Sequence, residues 1–121
     1  MATPLEEVDI RVDQDVVLAC VRGEVDLSNA ASVRERLLHG VPNTASGVVL
    51  DLSETDYLDS SGVALIFELS ERLGTRGQKL ALVVPSHSVI KRVLVITDIE
   101  QVAPLFVSVD AALRSCGRTP A

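Results

Sequence analysis

The run Val48-Val49-Leu50-Asp51-Leu52 leads towards Asp56-Tyr57-Leu58-Asp59-Ser60-Ser61-Gly62, and apolar residues at helical spacing begin at Val63. A buried strand that feeds a helix through a short polar turn is the building unit of an α/β domain. The turn also has chemical character. At such a junction the first N–H groups of the helix lack backbone partners and point at whatever occupies the turn, and a dianionic phosphate suits that place. A serine there becomes such a group once phosphorylated, gaining charge and three acceptor oxygens without a large movement of the chain.

Upstream, Val8-Asp9-Ile10-Arg11-Val12 alternates apolar and polar residues, the pattern of a strand with one wet face. Asp13-Gln14-Asp15 reads as a tight turn and Val16 to Val21 as a nearly continuous apolar strand, so the two runs form a hairpin. Gly23 and Asp26 interrupt the pattern. Ser28 is then the expected N-cap of a helix whose apolar residues are Ala30, Val33, Leu37, Leu38 and Val41, with Gly40 available for a left-handed helix end. Residues 42–47 are a breaker-rich connection.

Downstream, a second helix is expected from about Ser61 to Leu73, with Val63, Ile66, Phe67, Ser70 and Leu73 facing inward. Leu80 to Val84 is the next strand. Pro85 and Ser86 open a third helix with Val89, Ile90, Val93 and Leu94 on its apolar face. Val102 to Val107 is a weaker strand that Pro104 assigns to a sheet edge, and Ser108 with Asp110 starts a last helix ending near Cys116. Residues 117–121 are expected to fray. Repeated strand-helix-strand units cross over right-handedly, which places helices on one face of the sheet when strands are added in one direction. Val16 to Val21 and Leu80 to Val84 are nevertheless apolar on both alternating sets. Either the second face is only partly wet, which is the preferred reading, or it meets a partner.

The 121 residues make one domain, spanning 1–121 with its core in about 8–113 and no linker or internal repeat. With 47% apolar but 2% aromatic residues, the core must be aliphatic. A net charge of -6 and the absence of any basic run argue against direct nucleic-acid binding. No apolar span is long enough for membrane insertion and no signal-peptide pattern opens the chain, so a cytoplasmic protein is expected. Cys20 and Cys116 lack metal-site or redox spacing and read as a buried small hydrophobe and a peripheral thiol.

Neither a GxxxxGK[ST] loop nor a GxGxxG follows any strand, and no GxSxG elbow is present. His39, in the last turn of a helix, and His87, near a helix start, are read as surface or capping residues. Asp51, Glu54, Asp56 and Asp59 crowd the strand exit without a ligand spacing, so solvated or capping roles are expected rather than a metal site. Nothing calls for a cofactor. Read alone, Ser60 or Ser61 caps the second helix, Asp59 caps it or contacts a partner, and Asp26 ends a strand through an Asx-type turn.

Taken together, Gly23-Glu24-Val25-Asp26, Asp51-Leu52-Ser53 and Tyr57-Leu58-Asp59-Ser60-Ser61-Gly62-Val63-Ala64 resemble the signature of the STAS domain, in particular the stand-alone anti-sigma factor antagonists. Pro85 with Val89-Ile90-Lys91-Arg92-Val93-Leu94, and Phe106-Val107-Ser108-Val109-Asp110-Ala111-Ala112-Leu113, are similar to further family landmarks. The resemblance implies a mixed, mostly parallel sheet of four to five strands with about four helices packed mainly on one face. It implies a non-enzymatic protein that binds a sigma-inhibiting serine kinase of the histidine-kinase-like ATPase fold while unphosphorylated, so that the sigma factor is freed. The kinase phosphorylates the matching serine, Ser60, and the complex parts; a serine phosphatase resets it. Asp59, Ser61 and Gly62 resemble the setting of that serine, and Asp26, Leu27 and Ser28 the adjoining partner-binding loop. The expected oligomeric state is a monomer or weak homodimer. Tyr57, Ala64 and Asp98 depart from common family residues and bear on partner choice. The alternatives are a non-switching STAS scaffold of a stress-signalling complex and an accessory domain for ligand or lipid transport.

Overall fold

In the computed structural model, residues 6–119 are described. The chain begins with an antiparallel hairpin, β1 (Glu6–Asp13) and β2 (Val16–Val25), followed by α1 (Ala30–His39). Then come β3 (Gly47–Asp51), β4 (Thr55–Leu58), α2 (Ser60–Thr75), β5 (Lys79–Val83) and α3 (Lys91–Ile96). A 3-10 turn at Ile99–Gln101, β6 (Leu105–Phe106) and α4 (Val109–Ser115) complete it. The sheet order is β1-β2-β3-β5-β6, with β4 beside β2, and every pairing after the hairpin is parallel. Edge placement of the strand after Pro104 is as the sequence suggests, although it spans only two residues.

β2 is twice as long as β3 and therefore needs a second neighbour. Residues Val16 to Cys20 pair with β3, and Gly23 to Val25 pair with β4, which the sequence reading missed as a strand. Gly23, at φ 90, lies at a register shift within the β2–β4 pairing, between Gly23 opposite Thr55 and Glu24 opposite Tyr57, a backbone conformation that glycine adopts without a Cβ penalty. The gap leaves the Val21 carbonyl without a strand partner, and the buried Thr55 hydroxyl donates to it at 2.7 Å. Thr55 thus closes the junction where the chain leaves β3 and rejoins β2.

The strands are apolar on both sides because both sides are covered by this chain. Val17, Ala19, Val21, Val48, Leu50, Leu80 and Leu82 face the main core with Val33 and Leu37 of α1, Ile66 and Leu69 of α2 and Leu94 of α3. Val16, Val49, Ala81 and Val83 face the other way, against Ala112 and Leu113 of α4 and the following Cys116. Neither a partly wet face nor a partner accounts for the pattern; the last helix crosses behind the sheet. The two cysteines accordingly exchange their expected settings, Cys116 being buried and Cys20 half-buried. Burial pushes both thiols up, with Asp51 adding to the effect at Cys20, so both are held as thiols.

Several boundaries differ for local reasons. Asn29, rather than Ser28, occupies the N-cap position of α1, and its side chain serves the preceding loop instead of the helix. Gly40 is right-handed; a Cβ there would strike Ile10 Cδ1, so close packing explains the glycine. α2 buries a wider stripe than expected, adding Leu65 and Leu69, while Phe67 is only partly buried and Ser70 bonds the Val102 carbonyl. α3 starts at Lys91, which leaves Val89 exposed. Asp98 takes the left-handed conformation, at φ 57. Ser108 caps α4 as expected, accepting the Ala111 N–H at 3.2 Å. Residues 118 and 119, part of the segment expected to fray, are held in place: Arg118 pairs with Asp13 at 3.0 Å and Asp110 at 2.9 Å, and Thr119 bonds Gln14. Residues 120–121 lie outside the described residues, as do 1–5.

Thr55→Val preserves shape but leaves the Val21 carbonyl unpaired, at a cost of about 1–3 kcal/mol. Urea unfolding is expected to register that loss for valine and to spare Thr55→Ser, which keeps the donor.

Candidate functional site

The turn that follows β4 is organised by one carboxylate. Asp59 is extended, at φ -98 and ψ -171, and stands as the N-cap of α2. Its Oδ1 accepts the N–H groups of Ser61 at 2.9 Å and Gly62 at 3.1 Å, satisfying two of the free donors at the helix start. Its Oδ2 accepts the Leu27 N–H at 3.2 Å from the loop between β2 and α1. The Asp59 N–H itself donates to the Val25 carbonyl at 3.3 Å. A single side chain therefore joins the two loops that the sequence reading assigned to one surface. The capping residue is Asp59, not either serine.

Ser60 is the first residue of α2 and is exposed, whereas Ser61 is partly buried. Ser60 therefore presents its side chain at the positive end of a 16-residue helix. Gly62 is buried beneath it, and a Cβ there would strike Leu58 Cδ1 and lie 2.9 Å from Leu58 Cγ and 3.2 Å from the Val25 carbonyl. Its role is close approach of the first helical turn to β2 and β4. Leu58 and Val25 stand in the segments that carry the resemblance, but that they give the turn this floor is seen only in three dimensions.

The neighbouring loop is held by interlocked Asx interactions. Asp26 Oδ1 accepts both the N–H and the hydroxyl of Ser28, and Asn29 Oδ1 accepts the Asp26 N–H at 2.9 Å. Asn29 Nδ2 also donates to the Glu24 carbonyl at 2.8 Å and to the Glu6 carboxylate at 3.1 Å. Asn29 was not singled out from the sequence; its place three residues after Asp26 is the trace that reading had available. The Ser28 hydroxyl, followed by its amide, holds the Asp26 carboxyl below the usual carboxylate range. Leu27, fixed by its backbone, projects outward and is 81% exposed.

Asp26, Leu27, Ser28, Tyr57 and Asp59 line a shallow hollow beside Ser60. Tyr57 is 48% exposed and supplies, with Leu27, the hollow's apolar surface. Its rim carries the carboxylates of Asp26 and Asp59, with Asp56 exposed on the adjoining strand. The remaining acidic residues of the strand exit are engaged elsewhere, Asp51 with Ser53 and Glu54 with Arg22 at 2.6 Å. Among the described residues, no three His, Cys, Asp or Glu side chains converge as metal ligands. His39 lies 3.8 Å from Glu35 on α1, and His87 is exposed in a separate hollow with Ser53, Asp56 and Ser88. The arrangement offers an accessible hydroxyl, an acidic rim and two apolar contacts.

Two outcomes follow from this geometry. Asp59→Ala is expected to cost roughly 0.5–2 kcal/mol through the lost cap. Asp59→Asn keeps an oxygen for the helix amides but cannot offer a second acceptor to Leu27, so it is expected to recover most stability while amide exchange at Leu27 quickens. The Asp26 contribution to stability is fully present above the ordinary carboxylate pKa and is lost as pH falls through its depressed folded value. Ser28→Ala should therefore move the Asp26 midpoint upward in an NMR titration, lower stability above the ordinary carboxylate pKa and shrink the part of the acid-dependent loss of stability that Asp26 supplies.

The STAS domain family model matches residues 7–112. The probable sulfate transporter 3.5 of Arabidopsis thaliana is 27% identical over 97 residues, covering 76% of this chain and 15% of that protein. The anti-sigma-F factor antagonist RsfB of Mycobacterium tuberculosis is 30% identical over 98 residues, covering 81% of this chain and 79% of that one. Among solved structures, an anti-sigma factor antagonist from Mycobacterium paratuberculosis superposes with a TM-score of 0.83 at 22% identity, covering 98% of this chain and all of the other. Among the described residues, no helix is long and apolar enough to cross a membrane. The chain belongs to the STAS domain family and has the fold of the anti-sigma factor antagonists.

Proposed function

We propose that this protein is a cytoplasmic anti-sigma factor antagonist, a binding protein without a cofactor or catalytic activity of its own. In its unphosphorylated form it binds a sigma-inhibiting serine kinase of the histidine-kinase-like ATPase fold and so frees the sigma factor. Phosphorylation of Ser60 by that kinase ends the association, and a serine phosphatase restores it. The observation that carries this reading is the exposed Ser60 at the first position of α2, beside the carboxylate that ties the helix to the Leu27 loop.

The chemistry of the switch is electrostatic. A phosphate on Ser60 adds about -1.5 to -2 charge next to Asp59 and near Asp26, which lines the same hollow as Asp59. It also brings three acceptor oxygens to the helix start, where Asp59 Oδ1 already takes the Ser61 and Gly62 amides. The amides and the helix dipole offset part of the repulsion, so the domain stays folded. A partner that covers Leu27 and Tyr57 would have to bury the new charge against the acidic rim. A loss of about 2.7 kcal/mol weakens binding about a hundredfold.

The transporter relatives favour a second reading, an accessory domain of a transport system. It requires no modification of Ser60, which separates the two. The antagonist reading predicts that incubation with the cognate kinase and ATP yields a single phosphate, located at Ser60 by mass spectrometry. Ser60→Ala is expected to keep kinase binding and remain bound, whereas Ser60→Asp and, decisively, the purified phosphoprotein bind far more weakly. Modification at another residue, or equal affinity of all forms, overturns the assignment.

A further inference from the structure

β1 is the outer strand of the sheet, and the hairpin geometry fixes which of its backbone groups point away from β2. The two-residue loop Gln14-Asp15, with Gln14 at φ 58, closes on the pair Asp13–Val16. In a two-residue hairpin the closing pair exchanges both hydrogen bonds, and bonded and non-bonded pairs alternate from there. Arg11 and Asp9, opposite Leu18 and Cys20, therefore bond β2, while Val12, Ile10 and Val8 turn their amides and carbonyls outward. On the side-chain faces, Val8 and Ile10 pack against the main core and Val12, on the same face, is 63% exposed. Asp9 and Arg11 lie together on the opposite face, 3.4 Å apart and open to solvent.

We propose that two copies of the chain pair through their β1 edges, antiparallel and centred on Ile10, to make one continuous sheet about a two-fold axis. An isologous strand pair must oppose outward-facing residues to outward-facing residues, which restricts the registers to those centred on a residue of the strand. Centring on Asp9 or Arg11 sets like charges against each other on the axis. Centring on Val8 opposes Glu7 to Asp9, and centring on Val12 shortens the overlap. Centring on Ile10 instead exchanges hydrogen bonds between Ile10 and its symmetry mate and between Val8 and Val12 of opposite copies. It also covers the exposed Val12.

The same register places Asp9 of each copy opposite Arg11 of the other, in non-bonded pairs where side chains approach most closely. Both attractive pairs arise from one sequence because the charges are placed symmetrically about Ile10. At the ends Glu7 faces Asp13, but Asp13 already pairs with Arg118 at 3.0 Å. The edge is thus self-complementary in charge, apolar contact and backbone bonding at once. This surface is independent of Ser60 and of the partner proposed for it.

Sedimentation equilibrium of the full chain across a wide concentration range tests the pairing, with circular dichroism as a check that each variant is folded. The wild type is expected to show a reversible monomer–dimer equilibrium. Arg11→Asp, at a side chain 75% exposed, replaces both attractive pairs by repulsive ones and is expected to raise the dimer Kd at least about tenfold. The double variant Asp9→Arg with Arg11→Asp restores opposite charges in the same register and is expected to recover dimerisation. A wild type that stays monomeric throughout, an unchanged Kd in Arg11→Asp, or a folded double variant that fails to recover overturns the proposal.

Discussion

A ten-residue strand lined by two shorter parallel neighbours is the constraint around which this domain is arranged. Every buried amide and carbonyl of β2 needs a partner, and β3 supplies them only as far as Cys20. The chain must then leave the sheet towards β5, where the Leu52 N–H meets the Val83 carbonyl, and return as β4. Gly23 absorbs the change of register and Thr55 closes the gap. The return delivers Leu58 and Asp59 to the end of β2, which fixes where α2 begins. The position of Ser60 is thus a consequence of how the longest strand completes its hydrogen bonding.

From that point the site is a matter of short distances. Asp59 uses both carboxylate oxygens, one on the α2 amides and one on Leu27, so the helix start and the β2–α1 loop behave as one surface. The absence of a side chain at Gly62 lets the helix sit against Leu58 and the Val25 carbonyl. Interlocked bonds among Asp26, Ser28 and Asn29 hold the loop so that Leu27 projects outward instead of collapsing onto the core. Charge and apolar surface are therefore adjacent but not merged, an arrangement in which a small addition of charge has a large effect on a covering partner.

Much of the fold was legible because periodicity reports burial directly. The hairpin, α1, β3, α2, β5 and α4 were all placed to within a few residues from apolar spacing and capping residues. β4 was not, since Asp56 and Tyr57 are both exposed and break the alternation that marks a strand. α3 was started too early because Val89 continues an apolar pattern that the backbone does not follow. The Asp-Ser-Ser-Gly turn was visible as a strand-to-helix junction. Its capping arrangement was not, because Asp59, Ser60 and Ser61 are all competent caps and only backbone geometry selects among them.

By itself the sequence determined the α/β class, the aliphatic core and the exposed polar turn before α2, since these follow from residue type and spacing along one chain. It also contained the sign of a sheet covered on both faces, in strands apolar on both alternating sets. Which group covers the second face was decided only in three dimensions, where α4 lays Ala112 and Leu113 across Val49 and Ala81. The same holds for the link from Asp59 to Leu27 and from Arg118 to Asp13. Those contacts join residues far apart in sequence, and no local propensity encodes the path that brings them within hydrogen-bonding distance.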